Sequence, residues 1–430
     1  MFSILTQTIT VSIYATEKPR VLILRLKKRS DSTGWGGVAA HTISLYKKLL
    51  ESGIESYILV PANSIPEQHL KDQNLPYFTF KDDASFNSET ANNFGDRENM
   101  YKAALDICEK YKINIIHINF DKEISIAKKL CNSLSKIQKI DIVYQKHGIN
   151  QNNLKVSVFN GISAFISIDK LLIDQMLNEK KHGTTNIKHI QLLPPITTIS
   201  QNKKIDLSLS KEEFFEKNFN IKINPTRPIV SCVAHFFKCK NHENLFKAIH
   251  KLIYEHKMPL QLLLAGEGTI EMSNYLKRLV EDLQLQDYVK FLGFVSDVPT
   301  LLSYSDINVL VSKQESFGLA AIEASILKKP MVVSSETGVA NAFIIHKQTG
   351  LVCNPDSVED IALQIKYLID NPIIAKKIGE AAHKIVSPYY LLNGLTLEYI
   401  KIYTQILKDN ERNLEKIQHY QAMSRNFNLG

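Results

Sequence analysis

The sequence INVLVSKQESFGLAAIE, residues 307–323, joins a run of apolar residues to an amphipathic stretch through a loop that contains Gly318. Residues 307–311 are typical of a buried strand, and residues 317–327 have the spacing of a helix. A glycine at a helix start presents backbone N–H groups and the positive end of the helix dipole, which suits phosphate. The stretch predicts a strand–loop–helix unit of a parallel sheet with an anion site in its loop.

Two glutamates flank this loop, eight positions apart in the sequence. Glu315, before the helix, can accept hydrogen bonds from sugar hydroxyls, and Glu323, two turns further on, can accept from both hydroxyls of a ribose. An ordinary amphipathic helix with two solvated glutamates is the alternative explanation. The intervening Phe-Gly-Leu and the preceding strand favour the ligand-binding interpretation.

Short β-branched runs alternate with helical stretches over the whole chain, which predicts parallel sheets covered by helices. The strands predicted in the first half are residues 20–26, 56–61, 113–119, 140–145, 164–168 and 189–193. The same pattern then restarts, with strands predicted at residues 229–234, 261–265, 289–292, 307–311, 331–334 and 350–353. Helices are predicted between them, for example at residues 39–52, 242–256 and 317–327.

The length of 430 residues is too great for one ordinary domain, so two are expected. Between the halves, residues 197–228 are polar and lysine-rich, with a short helix predicted at 211–218 and the breakers Pro225 and Pro228. We therefore predict a first domain over residues 1–200, a linker over 201–228, a second domain over 229–385, and C-terminal helices and a tail over 386–430. Parallel sheets bind ligands beyond the carboxyl ends of their strands, so we expect a ligand between the two domains.

Charge indicates which partners the chain could bind, and cysteine content indicates its cellular compartment. The net charge is +8, and residues 1–200 hold 25 Lys and Arg against 19 Asp and Glu, so most of the excess lies in the first half. A basic half can attract phosphorylated ligands or an anionic membrane surface, although a solvated surface is the alternative. Zinc-finger spacing and aromatic–glycine RNA-binding runs are absent, so no nucleic acid is expected. The five scattered cysteines and an opening segment without a basic leader favour the cytoplasm.

The chain resembles the retaining glycosyltransferases of family 4, also described as glycosyl transferases group 1, over nearly its whole length. Their signature of two glutamates separated by seven residues reads ESFGLAAIE here. Residues 233–245 look like the family segment that ends in Lys-Asn before a helix. QLLLAGEG at 261–268 and VKFLGFV at 289–295 resemble its strand-and-glycine turn and its nucleobase loop. The resemblance implies an α/β GT-B fold, in which two Rossmann-like domains face each other and a C-terminal helix crosses back to the first.

The resemblance also implies roles for individual residues. Lys240 would neutralise the diphosphate leaving group, Glu315 would contact the donor sugar, and Glu323 would bind the ribose. His147, in Lys-His-Gly at a strand end, would position the acceptor or the sugar. The residues implied for donor binding are Gly36, Gly37, Gly266, Phe294, Val295, Phe317, Gly318, Leu319 and Glu323. No metal and no cofactor are implied, since the nucleotide sugar is a substrate.

Two positions depart from the family pattern. The family usually has Arg where this chain has His235, and an ordinary histidine is cationic only below about pH 6.5. Either bound phosphates keep His235 protonated, or Lys238 or Arg227 substitutes, or catalysis is weak; a purely structural histidine is a further alternative. Asn341 stands where the family has a carboxylate, which bears on the choice of donor sugar. A third histidine, His117, lies at a strand end, where a core position is favoured over one facing the cleft.

The sequence therefore predicts a retaining, metal-independent glycosyltransferase. Its donor would be a UDP- or GDP-sugar, bound by the second domain. Its acceptor would be a glycan, glycolipid or protein of the bacterial surface, bound by the first domain, with peripheral contact at the inner face of the membrane. Two alternatives stay open: a catalytically weakened partner subunit that only binds the nucleotide sugar, and a nucleotide-sugar epimerase of the same architecture.

Overall fold

The structure is a computed structural model that describes residues 17–25, 37–81, 94–147, 156–197, 199, 205–391 and 394–427. These residues form two parallel β-sheets, each covered by helices on both faces. Each half of the sequence supplies one sheet, as the repeated alternation of strands and helices predicts. The fold class expected from the sequence is therefore confirmed.

The first sheet has seven parallel strands in the order β3-β2-β1-β4-β5-β6-β7. Its strands are β1 (Arg20–Leu24), β2 (Glu55–Pro61), β3 (Phe78–Phe80), β4 (Ile115–Ile118), β5 (Asp141–Lys146), β6 (Ala164–Ser167) and β7 (His189–Leu192). Its helices are α1 (Gly37–Glu51), α2 (Ile65–Asp72), α3 (Phe94–Tyr111), α4 (Ile124–Leu134) and α5 (Lys170–Lys181). The sequence pattern predicts six of these strands and overlooks the three-residue edge strand β3.

The second sheet has six parallel strands in the order β10-β9-β8-β11-β12-β13. Its strands are β8 (Ile229–Val233), β9 (Gln261–Ala265), β10 (Val289–Gly293), β11 (Ile307–Leu310), β12 (Met331–Ser334) and β13 (Leu351–Cys353). The helices that accompany it are α6 (Lys211–Phe219), α7 (His242–His250), α8 (Ile270–Asp282), α9 (Val298–Tyr304), α10 (Leu319–Ile326), α11 (Gly338–Ala342), α12 (Val358–Asp370) and α13 (Pro372–Tyr390). Helix α7 is continued by a π-helical turn, Lys251–Glu255.

Helix α6 belongs structurally to the second half. Its residues Phe214 and Phe215 are buried in a cluster with β8 and with Tyr304, whose ring stacks 4.1 Å from that of Phe214. A capping box at Ser210 starts the helix and Asn220, in the left-handed region, ends it. The polar stretch between the two sheets is thus anchored on the second sheet, and the predicted domain limits stay a prediction.

The last helix, α14 (Gly394–Phe427), crosses back to the first domain. The Asn410 side-chain amide donates to Asp141 of β5 (2.6 Å), and His189 of β7 contacts Asp409 (3.1 Å). One cluster of buried apolar side chains joins the facing sides of both domains with α13 and α14. The crossover helix expected from the resemblance is therefore present. Among the helices described, none combines the length and the apolar character needed to cross a membrane.

Candidate active site

A cavity of about 950 Å³ lies between the two domains, at the carboxyl ends of β8, β9 and β11. This is the edge of a parallel sheet at which ligands are expected. The predicted site residues that line it are Gly37, His235, Lys240, Gly266, Phe294, Val295, Glu315, Gly318, Leu319 and Glu323. Residues that are far apart in the sequence therefore share one cavity.

The loop before α10 is shaped by two close backbone approaches. Gly318 has a φ of 97°, and a Cβ there would lie 2.8 Å from the Leu310 side chain. The Gly338 N–H donates to the Glu315 carbonyl oxygen (3.2 Å), and a Cβ on Gly338 would lie 2.1 Å from the Ser316 carbonyl oxygen. Gly318, Leu319 and Ala320 line the cavity, so the N-terminus of α10 forms part of its wall.

Lys240 and Glu315 form an ion pair on the cavity wall. Each side chain is only 16% exposed, so the pair is more than a solvated surface contact. Lys240 ends a short 3-10 turn, and Asn241 follows it in the left-handed conformation. The Asn241 amide nitrogen donates to the carbonyl oxygens of Val311 (3.0 Å) and Pro355 (2.8 Å). Asn241 thereby fixes the Lys240 turn beside the strand that leads to Glu315.

The cavity lining also includes a buried carboxylate and an aromatic ring. Glu323, on α10, is 8% exposed. After β10, Val295 is buried, whereas Phe294 is 37% exposed and presents its ring to the cavity. His69 of α2 approaches that ring from the first domain, with centroids 6.4 Å apart and the rings nearly perpendicular. An aromatic planar ligand fits such a wall.

Gly266 and His235 lie side by side where β9 and β8 end. The Gly266 N–H donates to the Gly293 carbonyl oxygen (2.8 Å), which ties the end of β9 to β10. His235 is half-buried, and its ring lies 5.5 Å from that of Phe237. His235 therefore faces the same cavity as Lys240, which follows it in the same connection between β8 and α7.

Three predicted residues have a different setting. His147 is not among the described lining of the cavity; it lies in a polar cluster at the end of β5, where its Nε2 is 2.8 Å from Asn119 Oδ1. The Phe317 side chain is buried and packs edge-on against Phe343, so only its backbone is available to a ligand. Gly36 lies outside the described residues.

The first domain adds cavity residues that the sequence analysis did not single out. Lys47 and Lys48 of α1 and His69 of α2 line the wall opposite the second sheet. No local motif marks them, because the packing of the two domains decides which helix faces the cavity.

The described residues form no three-residue metal site, and four of the five thiols have a raised pKa. No cluster of three His, Cys, Asp or Glu side chains there is arranged to hold a metal ion. All five cysteines are free, and burial raises the pKa of Cys108, Cys131, Cys232 and Cys353 to about 12. Those four thiols are thus poor nucleophiles.

Comparisons with known proteins agree with this architecture. Residues 213–385 match the family model for glycosyl transferases group 1. The chain is 25% identical over 312 residues to N-acetyl-alpha-D-glucosaminyl L-malate synthase of Bacillus anthracis, covering 71% of this chain and 78% of that protein. Further curated relatives match over about half of their own length.

Two solved structures share the fold over the whole molecule. A glycosyltransferase from Rickettsia africae ESF-5 superposes with a TM-score of 0.71 at 22% identity, covering 91% of this chain and 99% of that one. Anabaena Alr3699/HepE, in complex with UDP and glucose, gives a TM-score of 0.70 at 17% identity over 89% and 98% of the two chains. The protein therefore has the GT-B fold of two facing Rossmann-like domains, and its residues 213–385 match the glycosyl transferases group 1 family.

Proposed function

We propose that this protein transfers a sugar from a nucleotide-sugar donor to an acceptor hydroxyl with retention of anomeric configuration. The family supports transferase activity; the donor, the stereochemistry and the acceptor are our proposal. The observation that carries it is the shared cavity, where the Lys240–Glu315 pair, the start of α10 and the buried Glu323 line one space. This combination suits a ligand with a diphosphate between a sugar and a ribose.

The proposed transfer begins with an exchange of ion-pair partners. When the donor binds, its diphosphate replaces Glu315 as the ion-pair partner of Lys240. The Glu315 carboxylate then accepts hydrogen bonds from sugar hydroxyls. N–H groups of Gly318 and Leu319 bind the β-phosphate. The acceptor oxygen then attacks the anomeric carbon while the bond from that carbon to the phosphate oxygen breaks, and the acceptor proton passes to the departing phosphate. Fixed positive groups stabilise the charge that develops on this leaving group.

For the nucleotide, we propose a UDP- or GDP-sugar bound without a metal. Glu323 would accept from the ribose hydroxyls, and the base would lie against Phe294 and Val295. Anabaena Alr3699/HepE, whose fold is similar, has been solved in complex with UDP and glucose and with UDP-glucose, which supports uracil as the first base to test.

For the acceptor, we propose a hydroxyl compound of the bacterial surface, bound at the first domain beside His147. The positive excess of the first half supports an anionic or membrane-associated acceptor. The name of the B. anthracis relative makes L-malate a second acceptor class to test.

Nucleotide binding is the direct test of the donor site. UDP, GDP, CDP, ADP and their common sugar conjugates are added to the pure protein in the presence of a chelator, and thermal shift and calorimetry report binding. We expect one base to bind, with a larger shift for one of its sugar conjugates. Glu323→Ala should weaken that binding by about 1–3 kcal/mol, the range for a lost charged hydrogen-bond partner. The matched control is Glu281→Ala, an exposed glutamate of α8.

Product analysis separates the proposal from its alternatives. With the preferred donor and an acceptor panel, we expect a new glycoside whose anomeric signal in NMR has the donor's configuration. Donor binding without product in any acceptor extract would support the partner-subunit alternative. A changed sugar nucleotide without acceptor would identify an epimerase, and no binding of any nucleotide would refute the proposed donor site.

A further inference from the structure

A buried polar cluster lies in the first domain, beneath His147. Side chains two positions apart on a strand point to the same face of a sheet. On β4 and just after it, this places His117 and Asn119 together, and on β5 and just after it Gln145 and His147. His117 and Gln145 are fully buried, and Asn119 is 3% exposed. The cluster therefore runs from the interior of the domain to the strand ends.

The crossover helix α14 supplies two tyrosines to this cluster, one helical turn apart. The Tyr399 hydroxyl donates to Gln145 Oε1 at 2.9 Å. The Tyr403 hydroxyl lies 2.8 Å from His117 Nδ1. Both tyrosine side chains are fully buried, so each hydroxyl sits at a fixed place in the domain.

Helix α1 supplies His41, and its hydrogen bonds assign its tautomer. The Ile196 N–H donates to His41 Nδ1 at 2.8 Å, so the ring proton is on Nε2. Nε2 then donates to Gln145 Oε1 at 3.0 Å. Gln145 Oε1 thus accepts from both His41 and Tyr399, which fixes the orientation of its amide.

The cluster ends at His147. The His147 ring lies 4.7 Å from that of His41, centroid to centroid. His147 Nε2 is 2.8 Å from Asn119 Oδ1, and because that oxygen can only accept, Nε2 carries the proton. The lone pair of His147 Nδ1 is then the one available to an incoming hydroxyl.

Hydrogen-bond satisfaction argues against a purely structural role for this cluster. His117 Nε2, Gln145 Nε2 and Asn119 Nδ2 are buried and make no hydrogen bond to the described residues. Each such atom lowers stability, and apolar side chains of similar size would avoid the loss. Polar residues kept at a cost in stability are typical of functional sites.

We propose that Tyr399 and Tyr403 are positioning residues, which hold Gln145, His41 and His117 in place and thereby fix the ring orientation of His147 at the acceptor site. This inference rests on the proposed function for the role of His147. It gives the crossover helix a part in the reaction: α14 follows α13 of the second domain, so the helix connects the donor domain to the side chain that meets the acceptor.

The charges around His147 favour the same neutral ring. Burial lowers its pKa well below the ordinary value, and the nearby cations Arg25 and Lys146 add to the lowering. Lys146 is itself paired with Asp121 at 2.9 Å. A neutral His147 acts as a hydrogen-bond acceptor through Nδ1, and it needs a fixed ring to do so.

The test uses the full chain with Tyr399→Phe, Tyr403→Phe and the double variant. The matched control is Tyr390→Phe on α13, a buried tyrosine whose hydroxyl has no partner among the described residues. In the transferase assay we expect kcat/KM for the acceptor to fall about tenfold or more, the scale for a misplaced catalytic group, while nucleotide affinity stays unchanged. In ¹⁵N NMR, the His147 ring signals should shift and broaden, because the ring loses its fixed orientation.

The outcomes distinguish a failure of the positioning role from a failure of the proposed function. Unchanged His147 signals, with acceptor kcat/KM within about twofold of that of Tyr390→Phe, would overturn the positioning role. Changed His147 signals in a protein whose wild type transfers no sugar would support the positioning role and refute the proposed function. Because the NMR readout needs no substrate, one failure cannot be mistaken for the other.

Discussion

Lys240 and Glu315 carry opposite charges and were assigned to different parts of the donor, yet the structure pairs them with each other. Each is mostly buried, so neither charge can be left without a partner at low cost. A ligand that offers a diphosphate and several hydroxyl groups satisfies both side chains at once. The pair therefore keeps the site intact without donor and selects for a ligand that has both chemical groups.

Replacement of the lysine tests its role in stabilising the leaving group. Lys240→Ala should lower turnover at least about a hundredfold, as the loss of a group that stabilises transition-state charge does. Steady-state kinetics with saturating donor measures the effect. Lys247→Ala, an exposed lysine of the neighbouring helix α7, is the control and should behave like wild type. A loss of less than about threefold would remove Lys240 from that role.

His235 stands where the family has arginine, and it faces the cavity beside Lys240. If catalysis needs a positive charge there, wild-type activity should fall as the pH rises from 6 to 8, because an ordinary histidine loses its proton over that range. His235→Arg should then flatten the decline, since arginine stays charged. The kcat/KM–pH profiles of the two proteins provide the comparison. Identical profiles would indicate a structural histidine or a cation supplied elsewhere.

At the scale of the elements, the loop before α10 is built by its neighbour as much as by its own sequence. The Glu315 N–H donates to the Glu336 carbonyl oxygen (3.3 Å), and the Val339 N–H donates to that of Phe317 (2.8 Å). The segment before and within α11 thus supports the loop that presents Glu315 and Gly318. Its glycine at 338 permits the close approach.

Gly338→Ala tests this support. The new Cβ would meet the Ser316 carbonyl oxygen at 2.1 Å, so the two loops must separate, and we expect a loss of nucleotide affinity together with a loss of stability. Gly379→Ala is the matched control, because its Cβ would meet the Lys328 carbonyl oxygen, also at 2.1 Å, just after the C-terminal end of α10. Calorimetric affinity and urea denaturation measure the two effects. An equal loss of affinity in both variants would contradict a specific role for residue 338.

Sequence patterns predict the elements better than their contacts. Buried parallel strands are continuous apolar runs, so β9 and β12 have the predicted bounds, whereas β3, a three-residue edge strand, carries too little signal. Donor-side residues such as Glu315 and Glu323 belong to one local motif and could be found from it. His69, Tyr399 and Tyr403 could not, since only the packing of domains and of α14 brings them to the site.

At the scale of the whole molecule, the buried histidines connect the fold to pH. His41, on α1, and His117, on β4, are fully buried between the first sheet and α14. Burial lowers the pKa of each from 6.5 to about 3, and for His41 the hydrogen bond to Gln145 acts in the opposite direction. The folded protein therefore holds both rings neutral near neutral pH, and a proton is taken up readily only when the burial of the ring is lost.

This arrangement predicts an acid-sensitive fold. Below about pH 6.5 the unfolded chain takes up protons on these histidines and the folded chain does not, so stability is fully present above that pH and is lost as the pH falls towards 3. Each histidine should lower the free energy of unfolding by about 2 kcal/mol between pH 7 and pH 5. Urea denaturation at pH 7, 6 and 5 measures the loss. In His41→Gln and in His117→Gln, the loss of unfolding free energy between pH 7 and pH 5 should be smaller than in wild type by that amount. The exposed His182→Gln should lose as much as wild type. Equal losses of unfolding free energy in wild type and the three variants would mean that these rings do not stay neutral in the folded state. The tautomers assigned to the cluster would then be wrong.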